Sequence, residues 1–205
     1  MTANSPRLSF IVVVYNMQRQ AMNTLYSLSA HHQRNVNEQD YEIIVVENRS
    51  ANNLSEAAVT ALGSNIRYFL HDEPGQSPVG AINFGFSKVQ GSNICLMVDG
   101  ARMVTPRIVE YGLMAIAADK DALVAVPGYS LGWQDQHHHL DAAYDETVEM
   151  ALLAATNWQH NGYRLFDIAT ISGANPNGCM NPLMECNCVM TSARHFAAIG
   201  GANPD

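Results

Sequence analysis

Four short apolar runs recur along the first half of the chain. They are Leu8 to Val14 (LSFIVVV), Tyr41 to Val46 (YEIIVV), Ile66 to Leu70 and Ile94 to Val98. Runs of this length, rich in β-branched residues and bounded by turn signals, fit strands covered on both faces. Helical patterns separate them, with Ala21, Leu25 and Leu28 on one stripe and Val79, Ile82, Phe86 and Val89 on another. Alternation of strand and helix demands right-handed crossovers and a mainly parallel sheet.

Local signals mark the other boundaries. The polar tract His31 to Asp40 reads as a surface loop. Asn52 or Asn53 caps a helix that presents Leu54, Ala57, Ala58 and Ala61, and Gly63 ends it. Pro78 suits the first turn of a helix, and Pro106 opens another that runs to about Ala118. Ala122 to Val126 is a further strand. Beyond it the rhythm breaks. Pro127 to His139 reads as a long surface loop, Asp145 to His160 as a helix stopped by Asn161-Gly162, and Arg164 to Ile171 as a strand. Gly173 to Pro182 is a loop and Cys186 to Met190 a short strand. Ser192 caps a last helix, which ends at Gly200-Gly201. The expectation is one domain over 1–205, truncated where Asp205 begins what looks like another loop.

Composition narrows the function. The chain has 205 residues, 47% hydrophobic and 15% charged, which suits a folded domain with a sizeable core. Its formal net charge of -8 argues against a nucleic-acid partner. A phosphate ligand stays open, since backbone N–H groups and a metal can hold one. No leader-like h-region and no apolar run of membrane-spanning length is visible, so the expectation is a cytoplasmic protein, with peripheral membrane association left open. Cys95 lies in a strand. Cys179, Cys186 and Cys188 lack a CxxC pair, which favours free thiols in a reducing compartment over a zinc site.

The chemistry gathers at strand ends. Ligands of open α/β sheets collect at the carboxyl ends of the strands. The first strand runs into Tyr15-Asn16, the second into Glu47-Asn48-Arg49-Ser50, and the apolar run Ile94 to Val98 delivers Asp99 onto a turn with little side-chain bulk at Gly100 and Ala101. Taken alone, Asp99 is as well read as a turn cap.

In order, these segments resemble the family 2 glycosyltransferases of the GT-A fold. FIVVVYN stands where that family reads roughly VSVIIPTYN, and VVENRSANN where it reads VVDDGSTD. GAINFGFSKVQG matches its Asn-bearing helix, and MVDGARMVTP its FLDADD motif with a Pro a few residues on. ECNCVMTSARHFAAIGGANPD is similar to its NxAxRRxxFxxIGGFDE segment. No single motif is specific, but five in the right order are. The resemblance implies a three-layer α/β/α sandwich with a mainly parallel mixed sheet. It implies a sugar-transferring enzyme that takes a hexosyl or related group from a UDP- or GDP-type donor, with inversion, to a saccharide or lipid-linked acceptor.

The resemblance also implies a nucleotide-sugar site of Val14, Tyr15, Asn16, Glu47, Asn48, Ser50, Asn83, Asp99, Gly100 and Ala101. Tyr15 would line the base, and Glu47 or Asn48 would read a base edge, since a carboxylate accepts from an imide N–H and a carboxamide donates and accepts. Asp99 would meet the ribose or a Mn2+ or Mg2+ ion on the diphosphate. Two departures bear on this. The motif's second Asp is Ala101, and two hard oxygen ligands are the usual minimum for such an ion. Arg102 follows, and its guanidinium suits phosphate. The family's catalytic base is expected beyond Asp205, which leaves Glu185 as the candidate within the chain. His137 to His139 read as solvated loop.

Two other functions fit less of the sequence. A non-catalytic nucleotide-sugar binder is consistent with Ala101. A nucleotidyltransferase would show a Gly-rich basic loop after the first strand, where YNMQRQ stands instead.

Overall fold

A computed structural model describes residues 5–72, 77–98, 100–134, 144–175, 177–178, 181–182 and 187–203. The chain divides into two compact units, one of Met1–Val124 with Asn187–Asp205 and one of Ala125–Cys186.

The first unit is built on its apolar runs. β1 (Leu8–Val14) and β2 (Tyr41–Asn48) are buried at every position. Strands covered on both faces carry no polar alternation, which is how these runs read. β3 (Ile66–His71) pairs parallel with β2, β2 with β1, and β1 with β4 (Asn93–Met97). β8 (Val189–Ser192) lies antiparallel to β4, and the sheet order is β3-β2-β1-β4-β8-β5, with β5 at Val124–Ala125. This is the expected mixed, mostly parallel sheet.

Side-chain alternation sends Ile11 and Val13 to one face, where α3 (Pro78–Phe86) and α6 (Ala193–Ala198) pack over Ile44, Val46 and Ile94. α3 lies so close that a Cβ on Gly85 would stand 2.6 Å from Ile11 Cγ2. α1 (Gln18–Leu28) buries Ala21, Leu25 and Leu28, and Tyr41 donates its hydroxyl to Leu28 O at 2.7 Å. α4 (Ile108–Ala118) brings Gly112 onto Met190 and Leu8.

Several boundaries differ from the sequence reading. The tract 31–40 is no simple surface loop, because His32 and Gln33 are buried. Gln33 donates to Ser27 O at 2.7 Å and Thr105 O at 3.0 Å, and accepts from Val109 N. One amide thereby answers backbone groups that would otherwise be orphaned. α2 (Glu56–Thr60) is capped by Ser55, not Asn52 or Asn53, and it buries Val59 while Ala57 and Ala58 stay exposed. β2 runs two residues further than read, so Glu47 and Asn48 are strand residues.

The second unit departs more. The tract read as a loop after Pro127 contains β6 (Tyr129–Leu131), paired antiparallel with β7 (Ala169–Ile171). α5 (Glu146–Thr156) starts from its Asp145 cap and stops at Asn157, whose φ of 49° is left-handed. Asn tolerates that conformation, so the stop comes before Asn161-Gly162. A 3-10 segment, Gly162–Ile168, takes most of the predicted strand. Trp158 and Leu165 are buried in this unit. Among the described residues no helix is long and apolar enough to cross a membrane.

Candidate functional site

The sheet order places β1 between β2 and β4, all three parallel, so their carboxyl ends are neighbours on one edge. The chain winds from β1 through β2 to β3 on one side and crosses to β4 on the other. The crevice between β1 and β4 is therefore a topological switch point, where ligands of such sheets bind.

Those predicted residues that the structure describes are placed as follows. Val14 is fully buried and in register with Glu47. Gly100 is buried against it, and a Cβ there would lie 2.9 Å from Val14 Cγ2 and 3.3 Å from Met17 Sδ. The turn after β4 thus approaches β1 as only glycine allows. Tyr15 is half-buried and Asn16 exposed, with a left-handed φ of 51°. Ser50 donates its N–H to Asn53 Oδ1 at 3.0 Å, which shapes the turn after β2. Ala101 is exposed, and the chain beyond it follows α1, with Arg102 N–H donating to Thr24 Oγ1 at 2.8 Å. Asp99, Glu185 and His137 to His139 lie outside the described residues.

Glu47 carries the sharpest feature. Its side chain is wholly buried. Oε2 accepts from Leu54 N–H at 2.8 Å and from the Tyr68 hydroxyl at 2.6 Å. Oε1 is buried with no donor among the described residues. Asn48 is similar, since Nδ2 donates to Ser77 O at 3.2 Å while its buried Oδ1 has no partner among them. A buried acceptor left without a donor costs about 1–3 kcal/mol, and a ligand that brings the donor recovers it. Glu47 and Asn48 are successive strand residues and so point to opposite faces of the sheet. Glu47 turns toward Leu54 and Tyr68, and Asn48 toward the start of α3.

Tyr68 was not visible as a site residue in the sequence. Burial, and then its hydrogen bond to Glu47, push its hydroxyl well above the ordinary tyrosine range. It therefore stays a donor that holds the carboxylate. The signal was available in the strand register, where Tyr68 stands opposite Val45, two residues before Glu47 on the same face. Asn83 is used within the protein. Its Nδ2 donates to Ala202 O and its Oδ1 accepts from Ala202 N–H, both at 2.9 Å.

Clefts also open at the amino ends of the strands, one beside Arg7, Asp40 and Glu110 and one beside Glu38, Glu42 and Arg67. Neither contains a residue from the carboxyl ends of the strands, and the Glu42 carboxylate in the second is answered by Arg67 at 2.6 Å.

Comparison with known proteins bears on the family and the fold. The model of glycosyl transferase family 2 matches residues 9–176. No curated protein matches the chain. Among solved structures, the mannosyltransferase PcManGT from Pyrobaculum calidifontis, in complex with GDP-Man and Mn2+, is similar at 13% identity and a TM-score of 0.58, over 96% of this chain and 47% of that one. S. aureus TarS 1-349 in complex with UDP is similar at 18% identity and a TM-score of 0.52, over 59% of this chain and 35% of that one. The chain thus spans half or less of the length of these proteins, and at such identities the likeness speaks for the fold.

Proposed function

The chain belongs to glycosyl transferase family 2 and has its GT-A fold, and from that premise we propose that it moves a hexosyl group from a UDP- or GDP-linked donor to a saccharide or lipid-linked acceptor, with inversion. Both compact units serve this one catalytic domain, which acts in the cytoplasm. The observation that carries the reading is the buried Oε1 of Glu47, which has no donor among the described residues, next to Val14 at the carboxyl end of β1.

In this reading the nucleobase lies along Tyr15 and gives an imide N–H to Glu47 Oε1, with Tyr68 and Leu54 N–H fixing the carboxylate from behind. Asn48, the Val14 backbone, Asn16 and Ser50 complete the nucleoside side, and Asp99, Gly100 and Ala101 are assigned to the ribose and diphosphate. Asn83 acts by holding the Gly200-Gly201 turn in place through Ala202. An acceptor hydroxyl must lose its proton as it attacks the anomeric carbon and the nucleoside diphosphate leaves. Glu185 is the carboxylate of this chain assigned to the acceptor side.

The described residues fit a divalent ion poorly. The motif's second carboxylate is replaced by the exposed Ala101, and no group of three His, Cys, Asp or Glu residues gathers among the described residues. Mn2+ or Mg2+, when bound, supplies charge neutralisation to the diphosphate, and Asp99 is the single protein ligand assigned to it. The same Ala101 favours a second reading, a nucleotide-sugar binder without transfer.

Calorimetry with UDP- and GDP-sugars, with and without Mn2+, tests both readings when paired with a transfer assay. Binding that weakens about ten- to hundred-fold in Glu47→Gln, together with turnover by the parent chain, supports the transferase. Binding without turnover or hydrolysis selects the binder, and no binding of either nucleotide sugar sinks both.

A further inference from the structure

An ionised carboxylate has about four acceptor positions, two on each oxygen. On Glu47 the two positions of Oε2 are taken, one by Leu54 N–H at 2.8 Å and one by the Tyr68 hydroxyl at 2.6 Å. The Leu54 donor is backbone and would be present with any side chain there except proline's. The Tyr68 donor is a single side-chain atom on the edge strand β3, and it decides whether Oε2 is full or half open. Burial, followed by the bond to Glu47, raises the ionisation of that hydroxyl, so it remains a donor at neutral pH.

Oε1 is what a ligand has left. It is buried and has no donor among the described residues. Asn48 Oδ1 is likewise buried without one, but it hangs from the next strand residue and so belongs to the opposite face of the sheet. A base lying against Glu47 therefore meets one open carboxylate oxygen and not a pair.

Nucleobases differ in what they bring to such an edge. Uracil and thymine offer a single imide N–H between two carbonyls. Guanine offers two parallel N–H groups, from N1 and from its 2-amino group, which match a carboxylate when both oxygens are open, as the side-by-side donors of a guanidinium do. Cytosine presents a lone pair where the imide N–H would be. A polar group left unanswered in a desolvated site is costly, and sites discriminate most strongly on that ground.

Resting on the donor site proposed above, we propose that Tyr68 is a specificity-determining residue, which by filling Oε2 of Glu47 restricts the sugar donor to a uridine or thymidine diphosphate sugar and excludes guanosine diphosphate sugars.

Inosine diphosphate isolates the effect, since hypoxanthine keeps the size and N1–H of guanine and lacks the 2-amino group. The measurement is calorimetry on the full chain with UDP, GDP, IDP and CDP, all with Mn2+ present. In the parent, UDP and IDP should each bind about ten- to hundred-fold more tightly than GDP, and CDP more weakly than UDP. Tyr68→Phe opens one position on Oε2. It should bring GDP close to IDP while weakening UDP and IDP only a few-fold. A merely structural role for Tyr68 would weaken every nucleotide alike and leave the ratio of IDP to GDP affinity unchanged. That unchanged ratio in a folded Tyr68→Phe overturns the proposal. So does a parent chain that binds GDP as tightly as IDP, a result that needs no variant to fold. GDP bound as well as UDP and IDP leaves the donor site standing, whereas no binding of any of the four nucleotides sinks the donor site and this inference with it.

Discussion

The two ends of β2 each bury a carboxylate, and the surroundings of the two differ. At the amino end, Glu42 Oε1 accepts from Ser9 Oγ at 2.6 Å and Gln90 N–H at 2.7 Å, and Oε2 accepts from the Arg67 guanidinium at 2.6 Å. Ser9 Oγ accepts in turn from Gly91 N–H at 2.9 Å. Both oxygens are answered inside the protein, and the network ties β1, β2, β3 and the approach to β4 together. At the carboxyl end, Glu47 is as deeply buried, but one of its oxygens has no donor among the described residues. Burial is alike for the two carboxylates, and what differs is the unanswered oxygen on which the proposed donor site rests.

Substitutions at the two ends should behave in opposite ways. Glu42→Ala should cost about 3 kcal/mol in urea unfolding, because it strands Ser9, the Gln90 N–H and Arg67. Nucleotide affinity should not change. A loss of only a few tenths of a kcal/mol would break the contrast at that end.

Glu47→Gln should leave the urea midpoint close to the parent and weaken nucleotide-sugar binding about ten- to hundred-fold, the worth of one charge-assisted hydrogen bond. A large fall in stability with no change in binding would reverse the assignment of the two ends.

Tyr68→Phe sharpens the comparison, since it removes the hydroxyl donor to Glu47. Its stability cost should be about 1 kcal/mol at neutral pH. Burial is the leading cause that raises the hydroxyl ionisation of both Tyr41 and Tyr68. Their contribution is thus complete below the unfolded tyrosine value of about 10 and declines as pH climbs beyond it, because only the unfolded chain sheds these protons there. Tyr68→Phe should flatten that alkaline decline in a thermal-melt series.

The smallest effect belongs to Asp72→Asn. Its hydrogen bond to Arg49 holds the Asp72 carboxyl below the usual range, so any contribution is present at neutral pH and lost on acidification. The partners are 56% and 68% exposed, however, and solvent screens such a pair. Melting temperatures at neutral and mildly acid pH should match the parent.

The sequence was most legible where burial was most complete. β1 was read to the residue because all seven positions are covered, leaving a run that is apolar except at Ser9. The end of β2 was harder, since Glu47 and Asn48 look like the start of a loop until the register with Val14 and His71 is known. Gln33 and Tyr68 work through partners far away in sequence, which no local pattern records. The Ala125–Cys186 unit was least legible. Its strands are three residues long, too short for alternation to show, and nothing in composition tells the buried Trp158 from the exposed Trp133.

The bond between Asn83 and Ala202 joins residues 119 positions apart. During translation the segment that forms α3 leaves the ribosome well before its partner is made, and β8, which sits against β4, also comes late. A nascent chain paused short of residue 202 carries an amide with nothing to hold and a sheet open along β4.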